Sequence, residues 1–388
     1  MHRLPLLVCL AVLPVLSLCG TAWAEEAAPA FATKAKQIYM VEAKTGTVLL
    51  ASNENQAFPP ASLAKLMTME LVFSAIKRGE ITPETMYSVS ENAWRTGGAP
   101  SGTTTMFAVL KSQMRVDDLV KGVVIQNAND ACIVLAEGIS RTEGEFASRL
   151  SARAKDLGLS RSVFGNATGL PSAESRSTVR DMVELARHIH REYPEYYPFY
   201  AQPDFQWNKI LQRNKNPLLG LNIGVDGLGA GFAEGSGFAL VASVERQGTR
   251  LFLAMAGLAS DKERSEEARK ALEWGLSAFQ TRLLFIQGAP IGQASVYGGS
   301  ATHVDLVAKE PVDIYLPTNN PERLSGRIVY RWPLRAPVSQ GQDVGVLRIS
   351  SGERVVREVP LVASATVGKG GLVSQATDAL MELMFFWL

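Results

Sequence analysis

Past about residue 285 the hydrophobic pattern of this 388-residue chain changes period. Before that point, strand-like runs at both ends flank a helical middle in which apolar residues recur every three or four positions. After it, VDLVAK (304–309), VDIYLP (312–317), RIVYRW (327–332), DVGVLRI (343–349) and REVPLVA (357–363) alternate with Gly, Pro and Asn turns. That is strand spacing with turn punctuation. A pattern of one period does not settle into elements of the other, so two bodies are expected: a mixed α/β (α+β) domain, then a small all-β domain of sandwich type. With 46% hydrophobic residues there is material for both cores.

In the first body, QIYMVE (37–42) and TVLLAS (47–52) read as a hairpin turning at Ala43–Gly46. PPASLAKLMTMELVFSAIKRG (59–79) carries a helix signature, with prolines ahead of it and Lys-Arg-Gly behind. Further helices are expected at 115–127, 129–139, 143–157, 178–191 and 260–279, with two strands around a Gln-Gly turn in 238–258.

The ends have characters of their own. Arg3, the apolar stretch Leu4–Leu18 and Ala22-Trp23-Ala24 match a secretory leader with its small-x-small cleavage signal, so a mature chain starting near Glu25 is expected. At the other end, LVSQATDALMELMFFWL (372–388) gathers Ser374, Gln375, Asp378 and Glu382 on one arc of a helical wheel, with Leu, Met, Phe and Trp around the rest. Its uninterrupted apolar length falls short of the ~20 residues that span a bilayer, so it suits a membrane interface or packing on its own protein. The expected organisation is a leader (1–24), a catalytic-type domain (25–284), a β-rich domain (285–366) and an amphipathic membrane-associating segment (367–388).

Charge and cysteines exclude several classes. The 39 Lys and Arg nearly balance 38 Asp and Glu, which gives nucleic acid no basic surface to bind. Cys9 and Cys19 fall in the leader, leaving Cys132 with no disulfide partner. Of the four histidines, His2 also falls in the leader, and His188 and His190 diverge on one helix. No metal, no cofactor and no Ser-His-Asp triad are therefore expected.

The remaining route to nucleophilic chemistry is Ser62-Leu63-Ala64-Lys65. Positions i and i+3 share a helix face, so a lysine made neutral by burial can take the serine proton. A second Ser-x-x-Lys, Ser74 to Lys77, lies deep in the same helix and ends in a basic, solvated turn. Ser62 instead sits in the first turn after Pro59-Pro60, beside the positive helix end.

Around that serine, FPPASLAKLMT resembles the nucleophile segment of the low-molecular-mass penicillin-binding proteins, the D-alanyl-D-alanine carboxypeptidases. The resemblance extends through DDLVKGVVIQNANDACIVLAEG (117–138), FGNATGLP (164–171), RSTVRDMVELARHI (176–189), YPEYYPFY (193–200), NKNPLLG (214–220), VDG (225–227) and the stretch 260–275. It implies a penicillin-binding, β-lactamase-like serine transpeptidase fold followed by a β domain and a C-terminal amphipathic helix. It implies Ser62 as nucleophile, Lys65 as base, and an oxyanion held by the N–H groups of Ser62 and the residue after Gly231. The implied partners are peptidoglycan stem peptides ending in D-Ala-D-Ala, β-lactam antibiotics and the outer face of the inner membrane, in the periplasm.

Two motifs depart from the family. Ser-x-Asn is here Asn127-Ala128-Asn129: Asn129 keeps an amide to orient the lysine and bind substrate backbone, while Asn127 lacks the proton-relaying hydroxyl. Lys-Thr-Gly is here Gly229-Ala230-Gly231, without the cation and hydroxyl that meet the substrate, though Gly231 still lets a backbone approach. The Lys-Thr-Gly at 44–46 precedes the nucleophile and reads as a turn. A phosphate loop fails as well, since a Gly-x-Gly-x-x-Gly frame from Gly227 ends on Phe232 and one from Gly229 on Glu234. The expected activity is a serine D,D-carboxypeptidase. The competing expectation is a weakened or inactive relative that binds peptidoglycan or a partner; a narrower rival is an enzyme whose missing cation is replaced by one such as Arg250 or Arg264, and a secreted β-lactamase ranks third, disfavoured by the β domain and the tail helix.

Overall fold

The computed structural model describes residues 31–318, 324–352 and 354–371. Strands β1 (Gln37–Glu42) and β2 (Val48–Ser52) form the expected hairpin. A 3-10 turn at Ala61–Leu63 leads into α1 (Ala64–Lys77). A short hairpin, β3 (Met86–Ser88) with β4 (Gln113–Arg115), brackets a long loop and is followed by α2 (Val116–Val124), α3 (Asn129–Ser140), α4 (Glu143–Asp156) and α5 (Val179–Glu192). Another hairpin, β5 (Asp204–Trp207) with β6 (Ile210–Arg213), precedes β7 (Val225–Ala233), β8 (Gly237–Arg246), β9 (Thr249–Leu258) and α6 (Asp261–Ser277).

Strands β1, β2, β7, β8 and β9 make one antiparallel sheet in the order β2-β1-β9-β8-β7. Every residue of β1 is buried, as an inner strand covered on both faces must be. Alternation divides it: Ile38 and Met40 pack with Ala268, Ala271 and Leu272 of α6, while Tyr39 and Val41 join the helical body on the other face. Gly275 lets α6 lie close, since a Cβ there would stand 2.8 Å from Leu251 and Met40. Helix α1 is buried from Ala64 through Ala75 and forms the centre of the helical body. Helix starts follow capping chemistry: Thr142, Thr178 and Ser260 accept hydrogen bonds from the backbone N–H of Glu145, Asp181 and Glu263.

The β-rich part begins at Phe279, ahead of the change in pattern, because β10 (Phe279–Phe285) pairs with a later strand. It continues through β11 (Pro290–Tyr297), β12 (His303–Ala308), β13 (Val312–Pro317), β14 (Leu324–Tyr330), β15 (Leu334–Arg335), β16 (Asp343–Ser351) and β17 (Arg354–Ala363). A six-stranded sheet, β14-β16-β17-β12-β11-β15, shares its core with the β10–β13 pair through Val304, Leu306, Val312, Ile314 and Leu347. Residues 367–371 include two isolated bridges, Val367 to Val338 and Lys369 to Gly299, and belong to this part. The expected leader (1–24) and amphipathic helix (372–388) lie outside the described residues. Among the described residues, no helix is long and apolar enough to cross a membrane.

The Lys-Thr-Gly at 44–46 is a turn, as expected: Glu42 accepts hydrogen bonds from Lys44 N and Thr45 N at 2.8 and 2.6 Å. The Lys44 ammonium pairs with Asp313 of β13, so the turn also meets the β-rich part.

Candidate active site

Ser62 stands half-buried in the 3-10 turn that opens α1, preceded by Ala61 at φ +48°. A left-handed alanine costs energy and persists only where its surroundings impose it. The loop 166–170 supplies that constraint. Gly169, at φ +76°, lies so close to Ala61 that a Cβ on it would fall 1.8 Å from the Ala61 carbonyl oxygen. Asn166 shapes this loop, its Oδ1 accepting from Thr168 N at 3.2 Å and Gly169 N at 2.7 Å.

Lys65, one turn on, is 4% exposed. Its Nζ donates to the Thr168 carbonyl at 2.7 Å and reaches Ser62 Oγ at 3.4 Å. Burial pushes its ammonium down to about 8, opposed by the nearby Cys132. Cys132, on α3, is itself fully buried, and burial pushes its thiol up to about 12. The second Ser-x-x-Lys has no such geometry. Lys77 reaches outward to Glu192 at 3.3 Å, and Ser74 Oγ accepts from Arg78 at 2.6 Å.

A cleft opens over the serine. Ser62, Lys65, Asn127, Gly229 and Ala230 line it together, with Lys215 and Asn216 from the loop after β6. Asn127 takes φ +62° beyond the end of α2, a left-handed position that asparagine tolerates better than most residues. Asn129 begins α3 at 5% exposure; its backbone N donates to Thr104 O at 2.8 Å, and its Oδ1 is buried without a partner among the described residues. The group that orients Lys65 is the Thr168 carbonyl. Strand β7 is the outer strand of its sheet and forms one wall. A Cβ at Gly231 would stand 3.1 Å from Pro60 O and 3.4 Å from Ser62 N, so the strand runs directly against the serine turn.

The two arginines considered as replacement cations are engaged elsewhere. Arg250 pairs with Asp226 at 2.8 Å and with Glu245, and donates to Ser243 Oγ at 2.6 Å. Arg264, 7% exposed, pairs with Asp261 and donates to the carbonyl oxygens of Gly231 at 3.2 Å and Ala239 at 3.5 Å. Sequence reasoning assigned no role to Thr168, Gly169 or Lys215. Only the quoted segments FGNATGLP and NKNPLLG carried a signal for them.

Comparison with known proteins places the chain in a family. A family model described as D-alanyl-D-alanine carboxypeptidase matches residues 23–259, and one described as penicillin-binding protein 5, C-terminal domain, matches residues 279–369. The chain is 33% identical over 367 residues to D-alanyl-D-alanine carboxypeptidase DacC of Escherichia coli (strain K12), covering 94% of this chain and 92% of that one. It is similar in structure to penicillin binding protein 5 from Haemophilus influenzae, with TM-score 0.79 and 32% identity over 88% of this chain and 100% of that one. Penicillin-binding protein D2 from Listeria monocytogenes in its ampicillin-bound form matches with TM-score 0.58 and 25% identity over 64% of this chain and 100% of that one. A serine at a helix start, a buried lysine within reach of it and a flanking outer strand thus occur in a chain that belongs to the D-alanyl-D-alanine carboxypeptidase family.

Proposed function

We propose that this chain is a serine D,D-carboxypeptidase that removes the terminal D-alanine of peptidoglycan stem peptides and is acylated by β-lactams at Ser62. One observation carries the reading: a buried Lys65, its ammonium lowered to about 8, lies 3.4 Å from Ser62 Oγ at the floor of a cleft. Lys65 Nζ takes the hydroxyl proton as Oγ adds to the carbonyl of the penultimate D-alanine. The Ser62 and Phe232 backbone N–H groups stabilise the oxyanion. The C–N bond then breaks, the leaving amine receives the proton from Lys65, and water hydrolyses the resulting ester to free Ser62. Asn127 and Asn129 bind the substrate backbone, and Gly229, Ala230 and Gly231 give it access to the outer strand. The chain is exported to the periplasm and held at the outer face of the inner membrane by residues 372–388.

The second reading is a relative with weakened turnover that binds peptidoglycan or a partner. It is favoured by Asn127, Gly229 and Ala230, which lack the hydroxyl and cation expected there. One assay separates the two: incubation with a fluorescent penicillin and with a D-Ala-D-Ala peptide, beside Ser62→Ala. Labelling and D-alanine release, both lost in the variant, are expected. Labelling without release favours the binding protein, and no labelling of the unaltered chain overturns the acyl-enzyme. For the tail, a chain ending at Gly371 should leave the membrane fraction; continued sedimentation with membranes refutes the anchor.

A further inference from the structure

A peptide with a free C-terminal carboxylate needs a positive partner in the cleft, yet β7 offers only Gly229 and Ala230, and Arg250 and Arg264 are spoken for. The loop after β6, which lines the same cleft, is built differently. Asn214 is fully engaged: its Nδ2 donates to the carbonyls of Tyr200 at 3.1 Å and Gln202 at 2.9 Å, and its Oδ1 accepts from Asn216 N at 2.8 Å. Lys215 N donates to Ile125 O at 3.0 Å, pinning the loop two residues before Asn127. Between these anchors the Lys215 side chain is exposed, lines the cleft with Ser62 and Gly229, and has no ion pair among the described residues. Asn216, which lines the same cleft, is 6% exposed; Leu218 N donates to its Oδ1 at 3.0 Å, which fixes the amide and leaves Nδ2 buried without a partner among the described residues. A buried donor without a partner is costly, and a bound acceptor would remove that cost.

We propose that Lys215 is the cation that holds the terminal carboxylate of the substrate in this chain, with Asn216 Nδ2 as the accompanying hydrogen-bond donor, so that the charge β7 lacks is supplied by the loop after β6. This deepens the carboxypeptidase reading and rests on it. The substrate class is an acyl-D-Ala-D-Ala peptide with a free carboxylate, selected by the loop rather than by the strand.

The test is an equilibrium binding measurement in the Ser62→Ala background, where acylation cannot intervene. Diacetyl-L-Lys-D-Ala-D-Ala and its C-terminal carboxamide are compared by calorimetry. The acid should bind about 10- to 100-fold more tightly than the amide. Lys215→Met should abolish that preference, Lys215→Arg should keep most of it, and Gly229→Lys added to Lys215→Met should restore it. Lys215 is exposed, so the variants should fold, and unchanged melting curves verify this. Equal binding of acid and amide before substitution, or a preference that survives Lys215→Met, overturns the proposal. Penicillin labelling of the unaltered chain is read separately, so failure of the acyl-enzyme and failure of the Lys215 subsite give different results.

Discussion

As the proposed base, Lys65 would set the pH at which Ser62 reacts. With its ammonium at about 8, the neutral base is a minority at neutral pH and declines about tenfold for each further pH unit of acidification. β-Lactam acylation should therefore climb through pH 8 and level off above it, as followed by fluorescent labelling from about pH 6 to 10. A flat profile removes Lys65 as the base. Gly229 has space for the lysine that the resemblance implies there: a Cβ at this position meets only Leu63 Cδ2, at 3.9 Å. Gly229→Lys with Ala230→Thr should raise kcat/KM for a D-Ala-D-Ala peptide by about tenfold, the worth of one charge-assisted hydrogen bond. No gain means that charge on the strand does not limit turnover. Gly169→Ala should do the reverse, costing about 1–3 kcal/mol in a melting experiment and most of the labelling, because the serine turn must yield to the new methyl. Ser62 and Lys65 were legible because their spacing and helix-start position are written locally. Thr168 was not: it acts through a carbonyl that every residue has, across 103 positions of sequence.

At the scale of elements, α1 carries an anchor as well as Lys65, the proposed base. Glu70 is fully buried on it and accepts hydrogen bonds from Arg153 at 2.8 Å and Tyr193 at 2.9 Å, with His188 at 3.1 Å. Burial by itself would raise its carboxyl, but His188, Arg153 and Tyr193 together hold it below the usual value. The folded carboxyl is thus the stronger acid, so its stabilising contribution is complete above the unfolded value near 4.5 and is lost as pH falls through the lower folded one. Glu70→Ala should cost about 3–5 kcal/mol at neutral pH by stranding Arg153, and should shrink the loss of stability on acidification. Thermal melts at about pH 7 and 4 read both effects, and a variant as stable as the parent refutes the anchor. Helix boundaries were readable because Thr142, Thr178 and Ser260 are each followed three residues later by an acidic residue. Strand β10 was not, because it follows α6 with no turn residue between and takes its partner from a strand it never neighbours in sequence. Strand β7 was readable only by resemblance, since glycine has little strand propensity of its own.

Across the whole molecule, the catalytic body meets the β-rich part through Tyr315. Its hydroxyl donates to Gly275 O of α6 at 2.9 Å, and its ring stacks on Phe279 with centroids 5.5 Å apart. Tyr315→Ala should cost about 3 kcal/mol, read as earlier melting by calorimetry, while β-lactam acylation at Ser62 stays within about twofold. A matching loss of acylation shows instead that the two bodies work as one. Cysteine usage has a practical corollary on this scale. Cys132 is the one cysteine among the described residues, and its thiol neither meets solvent nor ionises readily. Such a thiol is silent to alkylating reagents until the core around it opens. The protein therefore contains its own clock: modification of Cys132 under native conditions counts the openings of the body that holds Lys65, and a β-lactam bound at Ser62 should make that clock run slower.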